Sequence, residues 1–213
     1  MAARSRNGGT SEKILDVAER LIQVRGYNGF SYADIALALD LTKASLHYHF
    51  PSKAELGRTL MHRYTQGFLT ALADLDTRLD CERAKLEGYV GIYASVLASK
   101  RMCLCGMLAA EFATLPKALK AEVTQFFDAN ESWLAVHLNT GRERKVLRFS
   151  GDARQAAQLL VAGLEGAMML ARTYGDTARF EHASRLLLEN LVGNRKSGGA
   201  LDAPSGHRQR EDN

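Results

Sequence analysis

An all-α protein of about nine helices is what this sequence predicts, and three observations carry that expectation. The period-2 alternation that a strand needs is nearly absent, whereas apolar residues recur at helical spacing from Thr10 to Leu191. Capping residues and Gly or Pro breakers cut that stretch into separate helices. The composition, 46% hydrophobic and 24% charged, is that of a chain that buries a core and not of a disordered one.

Each element has its own signal. Thr10 is placed as the N-cap of a first helix reaching Arg25, with Ile14, Val17, Ala18, Leu21 and Val24 on one stripe and Gly26 at the stop. A short second helix opens at Ser31, where Asp34 completes a capping box and Ile35, Ala36 and Leu39 face inward. Asp40-Leu41-Thr42 makes a tight turn into a third short helix, Lys43 to His49. Pro51-Ser52 breaks the chain, and Ser52 with Glu55 caps a long fourth helix carrying Leu56, Leu60, Tyr64, Phe68, Leu72, Leu75 and Leu79. Leu86, Tyr89, Val90, Tyr93 and Leu97 mark the fifth. Cys105 to Ala113 is a short sixth, and Leu119 to Leu134 marks a seventh that is expected to stop at Gly141. After a polar loop, an eighth helix from Asp152 to Tyr174 is rich in Gly and Ala, and a ninth runs from Thr177 to Leu191.

The stretch from Phe30 to Leu56 carries the functional signal. Two short helices joined by a tight turn, apolar only on their inner faces, form a helix-turn-helix pattern whose second helix fits a DNA major groove. Its outward residues would be Lys43, Ala44, Ser45, His47, Tyr48 and His49. Small side chains there let the backbone approach base edges, while Lys43, Tyr48, His49 and Lys53 reach phosphates. Two solvated helices of an ordinary core are the competing reading.

Leu46, His47, Tyr48, His49, Phe50, Ser52, Lys53 and Leu56, preceded by Ile35-Ala36, resemble the signature of the amino-terminal domain of TetR-family transcriptional regulators. The likeness runs from Thr10 to about Arg63; beyond it the chain agrees in helix number and order. The resemblance implies that Ser31, Tyr32, Ala33 and Lys43 to Ser45 face DNA, with Tyr48, His49 and Lys53 on phosphates. Two residues depart from the family pattern: Asp40 stands at a turn position where glycine is usual, and His47 where tyrosine is. Asp tolerates the left-handed conformation, so the turn survives.

One such domain covers too little DNA for tight specific binding, so a homodimer on a pseudo-palindromic operator is expected. Helices 152–174 and 177–191 are the candidates for its interface, and the resemblance implies an intersubunit four-helix bundle. The expected organisation is a DNA-binding domain with a flexible arm at residues 1–55, an effector-binding and dimerisation domain at 56–193, and a disordered tail at 194–213.

For the effector, a small molecule, the candidates are Tyr93, Cys103, Cys105, Met107, Glu111, Phe126, Trp133 and Met168. Most of these large, adaptable side chains also suit a core. Cys103 follows Arg101 by two residues and precedes the sixth helix, a setting that favours thiolate. It reads either as an electrophile or redox sensor, with Cys105 or Cys81 as resolving partner, or as a buried apolar residue. Glu111 and Glu165 interrupt apolar surroundings, where an unpaired charge is expensive, so each is expected to have a partner.

No P-loop, GxGxxG, HExxH or Ser-His-Asp context appears, so no cofactor, metal site or catalytic constellation is expected; the alternative is a small helical enzyme using Cys103 as nucleophile. An odd number of cysteines, and no signal or membrane segment, lead to the expectation of a cytoplasmic protein. The net charge of +4 is unevenly spread: residues 1–63 hold nine basic against six acidic side chains, while residues 64–193 balance. That segregation favours nucleic acid more than the total does.

Overall fold

The computed structural model describes residues 9–192, so the expected arm at residues 1–8 and tail at 194–213 lie outside the described residues. Among them are nine α-helices and no strand: α1 (Thr10–Arg25), α2 (Tyr32–Leu39), α3 (Lys43–His49), α4 (Lys53–Arg78), α5 (Glu82–Ala98), α6 (Leu104–Ala110), α7 (Lys117–Glu143), α8 (Ala153–Tyr174) and α9 (Ala178–Val192). A 3₁₀ turn, Phe112–Thr114, follows α6. No helix among the described residues is long and apolar enough to cross a membrane.

The amino-terminal helices pack because their apolar residues converge. Ile14, Ala18 and Ile22 of α1, Ile35 and Ala36 of α2 and Leu46 of α3 are buried together with Leu56 and Leu60 at the start of α4. Full burial of each large aliphatic side chain is worth about 1.5–3 kcal/mol. Arg63 of α4 then ties α1 down through Glu12, Asp16 and Glu19, at 2.8–3.0 Å. Asp40 takes the left-handed conformation at φ 53° that the tight turn requires, as its side chain permits. In the body, α8 lies between α7 and α9, and α4 and α5 pack on α7. Phe68, Tyr89, Tyr93 and Phe126 fill the interior with edge-on rings, Phe68 and Phe126 being 5.0 Å apart.

Three boundaries and one buried face differ from the sequence expectation. Gly9, not Thr10, caps α1, and Ile22 and Gln23 are buried in place of Val24, which is 38% exposed. Gln23 is drawn inward because its backbone and side chain both receive hydrogen bonds from the body. α6 ends at Ala110 because the Glu111 carboxylate is required elsewhere. α7 passes through Gly141 to Glu143, since the missing Cβ admits Leu147 as the chain folds back; Lys145, at φ 60°, makes the reversal.

Candidate functional site

The recognition helix is held by its caps. Asp34 accepts from both the backbone N–H and the hydroxyl of Ser31, at 2.8 and 2.7 Å, which fixes the start of α2 and lowers the Asp34 carboxyl, chiefly through the Ser31 hydroxyl. Thr42 Oγ1 accepts from Ser45 N–H at 3.1 Å and starts α3. Leu46 alone on α3 is fully buried, so Lys43, Ala44, His47 and Tyr48 stand in solvent, while Ser45 and His49 are half-buried. Tyr48 is 85% exposed, an unusual position for an aromatic ring without a partner surface. Leu37 on α2, 86% exposed, was not singled out by the sequence pattern and lies one helical turn from Ala33.

Between α2 and α3 a cleft of about 390 Å³ is lined by Ser31, Tyr32, Ala33, Lys43, His47 and Lys53. His47 Nδ1 lies 3.2 Å from the Pro51 carbonyl, which can only accept, so that nitrogen carries the proton; the ring rests on Tyr32 at 4.8 Å. Tyr32 donates its hydroxyl to the Phe50 carbonyl. Lys53 is less free than its place in the motif suggests. Its ammonium donates to the Phe30 carbonyl at 2.5 Å and sits over the Tyr27 and Phe30 rings, at 4.7 and 4.2 Å, and burial lowers its pKa.

A second group of residues joins this head to the body. Glu111, at the end of α6, accepts from the backbone N–H of Tyr27 at 2.5 Å and of Asn28 at 3.2 Å. Its carboxylate fills the space beside Gly26, where a Cβ would stand 2.7 Å from Oε1. Arg172, in the last turn of α8, donates to the carbonyls of Gln23 and Val24, and Arg101 donates to the Gln23 side chain. The end of α1 is therefore gripped by α6 and α8 together. Glu111 thus belongs to a domain junction and not to a pocket, and Arg172 gave no sequence signal because its partners lie about 149 positions away.

The predicted effector residues divide. Tyr93, Cys103 and Met168 surround a gap of only about 10 Å³, hardly the space of one water. Phe126 is buried against Phe68, and Trp133 stacks on Tyr89 at 5.8 Å while donating to Asp76 at 3.0 Å. Met107 lies beside Arg172. Cys103 is buried at the start of α6 and its thiol is lowered to about 6, because the Cys105 thiol, the Glu165 carboxyl and the N–H groups of Gly106 and Cys105 stabilise the thiolate against the cost of burial. Arg101, the expected cause, instead faces Gln23. Cys105 is pushed up by burial, and Cys81 is exposed.

Glu165 finds no charged partner. Both its oxygens are buried, and the polar group they face is the Cys103 thiol. Burial pushes its carboxyl well up, and the nearby Cys103 charge adds to this. It lies over Gly106, where a Cβ would overlap Oε2. An open cavity of about 330 Å³ adjoins it, between α6, α7 and α8.

Two family models match the chain: the bacterial regulatory proteins of the tetR family over residues 14–58, and the tetracyclin repressor-like C-terminal domain over residues 82–187. A solved TetR-family transcriptional regulator from Agrobacterium tumefaciens is 34% identical, with 86% of this chain and 97% of that one covered at a TM-score of 0.84. The chain belongs to the TetR family. This TetR-family protein is a DNA-binding transcriptional regulator, with an amino-terminal helix-turn-helix domain and a helical carboxy-terminal domain. It is 25% identical over 180 residues to the transcriptional repressor NemR of Escherichia coli (82% of this chain, 89% of NemR). It is 28% identical over 198 residues to the regulator LmrA of Bacillus subtilis (86% of this chain, 97% of LmrA).

Proposed function

We propose that this TetR-family regulator is a homodimeric, cytoplasmic repressor that holds a pseudo-palindromic operator with α3 of each subunit and leaves it when a small effector binds the body or Cys103 is modified. The observation that carries the DNA reading is the capped, outward-facing α3. Ser31, Tyr32, Ala33, Lys43, Ala44, Ser45 and His47 would face DNA, and Lys43, Tyr48, His49 and Lys53 would reach phosphates. The working division is residues 1–55 for DNA and 56–193 for effector and dimer.

Dimerisation through α8 and α9 is supported by the apolar side chains they leave in solvent: Leu159 (67% exposed), Met169 (54%), Leu170 (56%) and Leu186 (58%). The small residues of α8 serve two neighbours. Gly163 accommodates Leu187 of the same chain, whereas Gly166 meets nothing within 4 Å and is free to admit a partner helix.

Release follows from the junction. A group that enters the filled surroundings of Cys103, or binds beside α8, displaces α6 or α8. Their far ends hold Gln23, Val24, Tyr27 and Asn28. The two heads then lose the separation that matches the operator, a differential affinity of the effector for two dimer states. The enzyme reading is weaker: the relatives named above are regulators, and the gap beside Cys103 is too small for a substrate.

A gel-shift titration on DNA from upstream of the protein's own gene tests the proposal. The wild type should shift it, and Lys43→Ala should weaken binding to all sequences and reduce the salt slope by about one phosphate contact per subunit. No shift at low salt at any protein concentration would overturn the reading.

A further inference from the structure

His47 is the side chain of α3 whose hydrogen-bonding sense is fixed by its surroundings. Its Nδ1 lies 3.2 Å from the Pro51 carbonyl oxygen, which can only accept, so Nδ1 carries the proton. In the neutral ring the other nitrogen, Nε2, is then an acceptor. The Pro51 contact is the hydrogen bond the imidazole makes among the described residues, and it leaves Nε2 open. Turning the ring over would set a carbon against the Pro51 oxygen and lose that bond. The ring also rests on Tyr32 at 4.8 Å, and Tyr32 is itself tied to the Phe50 carbonyl at 2.8 Å. Pro51 stands in the break between α3 and α4, so the turn that ends the recognition helix also orients this side chain. His47 is exposed and lines the cleft between α2 and α3 together with Ser31, Ala33 and Lys43.

A fixed acceptor restricts what the side chain can meet on DNA. Phosphate oxygens only accept, so between them and Nε2 there is no proton to share. In the major groove guanine N7 and O6, adenine N7 and thymine O4 are acceptors too; the donors are the exocyclic amino groups, N6 of adenine and N4 of cytosine. We infer that His47 is a specificity-determining residue whose Nε2 accepts a hydrogen bond from the exocyclic amino group of an adenine or a cytosine, at one position in each operator half-site. The inference rests on the reading that α3 enters the major groove. Lys43, one turn earlier on the same helix face, is a cation and suits phosphate, which leaves the base edge to the uncharged ring. Tyrosine, usual at the position of His47, ends in a hydroxyl that donates or accepts and so tolerates either kind of base edge. With Nδ1 committed to Pro51, His47 has one sense only, and the exchange narrows the operator at that position.

Selection of bound sites from a random duplex DNA library tests this, with the full-length protein and with His47→Phe, which keeps a ring against Tyr32 and removes the acceptor. The wild type should enrich adenine or cytosine at one position of the half-site, and His47→Phe should lose the preference there while keeping it elsewhere. Anisotropy titrations on the selected site then test the atom. In both half-sites adenine is replaced by purine, which lacks the 6-amino group, or cytosine by 2-pyrimidinone, which lacks the 4-amino group; the base selected decides which. Wild-type affinity should fall at least about fivefold and that of His47→Phe by less than about twofold, a comparison that cancels the weakened base pair. An unchanged wild-type affinity, an equal fall in the variant, or a preference for guanine or thymine that His47→Phe abolishes overturns the inference alone. A library from which the wild type enriches no sequence overturns it together with the operator reading.

Discussion

Glu82 and Glu165 are both carboxylates carried into the helical body, and the molecule treats them in opposite ways. Glu82, at the start of α5, is 3% exposed and fully engaged: His137 Nδ1 lies 2.6 Å from one oxygen and Arg144 3.3 Å from the other. His137 reaches Asp76 at 3.0 Å through its other nitrogen, so the ring bridges the two carboxylates. Trp133 and Lys85 complete the cluster on Asp76. Glu165 has two buried oxygens and, in place of a charged partner, only the Cys103 thiol. The first arrangement pins α4, α5 and α7 to one another at the end of the body remote from α3. The second leaves a cost unpaid at the crossing of α6 and α8, where both helices lead to the head. The difference separates a structural ion cluster from a neutralised carboxyl set beside a single thiol.

The largest expected effect breaks the satisfied cluster. His137→Ala should leave Glu82 with Arg144 alone and Asp76 with Lys85 and Trp133, and losing a buried hydrogen-bonded bridge between charged groups costs about 2–3 kcal/mol. In a domain of this size that corresponds to a melting-temperature loss of roughly 4–12 °C by circular dichroism. A loss within the error of the measurement would mean that the cluster is solvated and that the contrast with Glu165 is false.

The next effect concerns the neighbour of Glu165. Cys103, lowered to about 6, is mostly thiolate at pH 7, whereas an ordinary thiol near 8.5 is only a few per cent ionised, a difference of about 30-fold in reactive form. In a Cys81→Ser background, the iodoacetamide labelling rate of Cys103 should therefore rise through pH 6 and level off by pH 7. The sign follows from a depressed acid: the thiolate is present above the folded pKa and is lost as pH falls through it. Cys105→Ala should move the profile to higher pH, because the Cys105 thiol is the leading donor to that sulfur. A rate still climbing between pH 8 and 9 in the parent protein would show that the α6 start does not stabilise the thiolate.

Much of this architecture was legible in the residues. The capping pairs at Ser31 and Ser52 announce their helices from four consecutive positions, and the α2–α3 unit follows from spacing alone because its core is local. The effector region was not legible in the same way. Tyr93, Phe126, Trp133 and Met168 have the side chains of a pocket, yet whether they fill their own space or leave some depends on how four helices meet, which no periodicity encodes. Glu111 and Glu165 looked alike as acidic residues in apolar runs. One found backbone donors about 84 positions away and the other only the Cys103 thiol, so only the tertiary arrangement distinguishes a clamp from a neutralised carboxyl.

The smallest effect is the sharpest test of the comparison. Glu165→Gln keeps the shape of the side chain, and its amide can still face the Cys103 sulfur, so little is broken. Stability should change by no more than about 1 kcal/mol, a melting-temperature shift of at most roughly 2–4 °C against the larger loss at His137. A loss matching that of His137→Ala would reveal a partner for Glu165 and convert it into a second structural anchor.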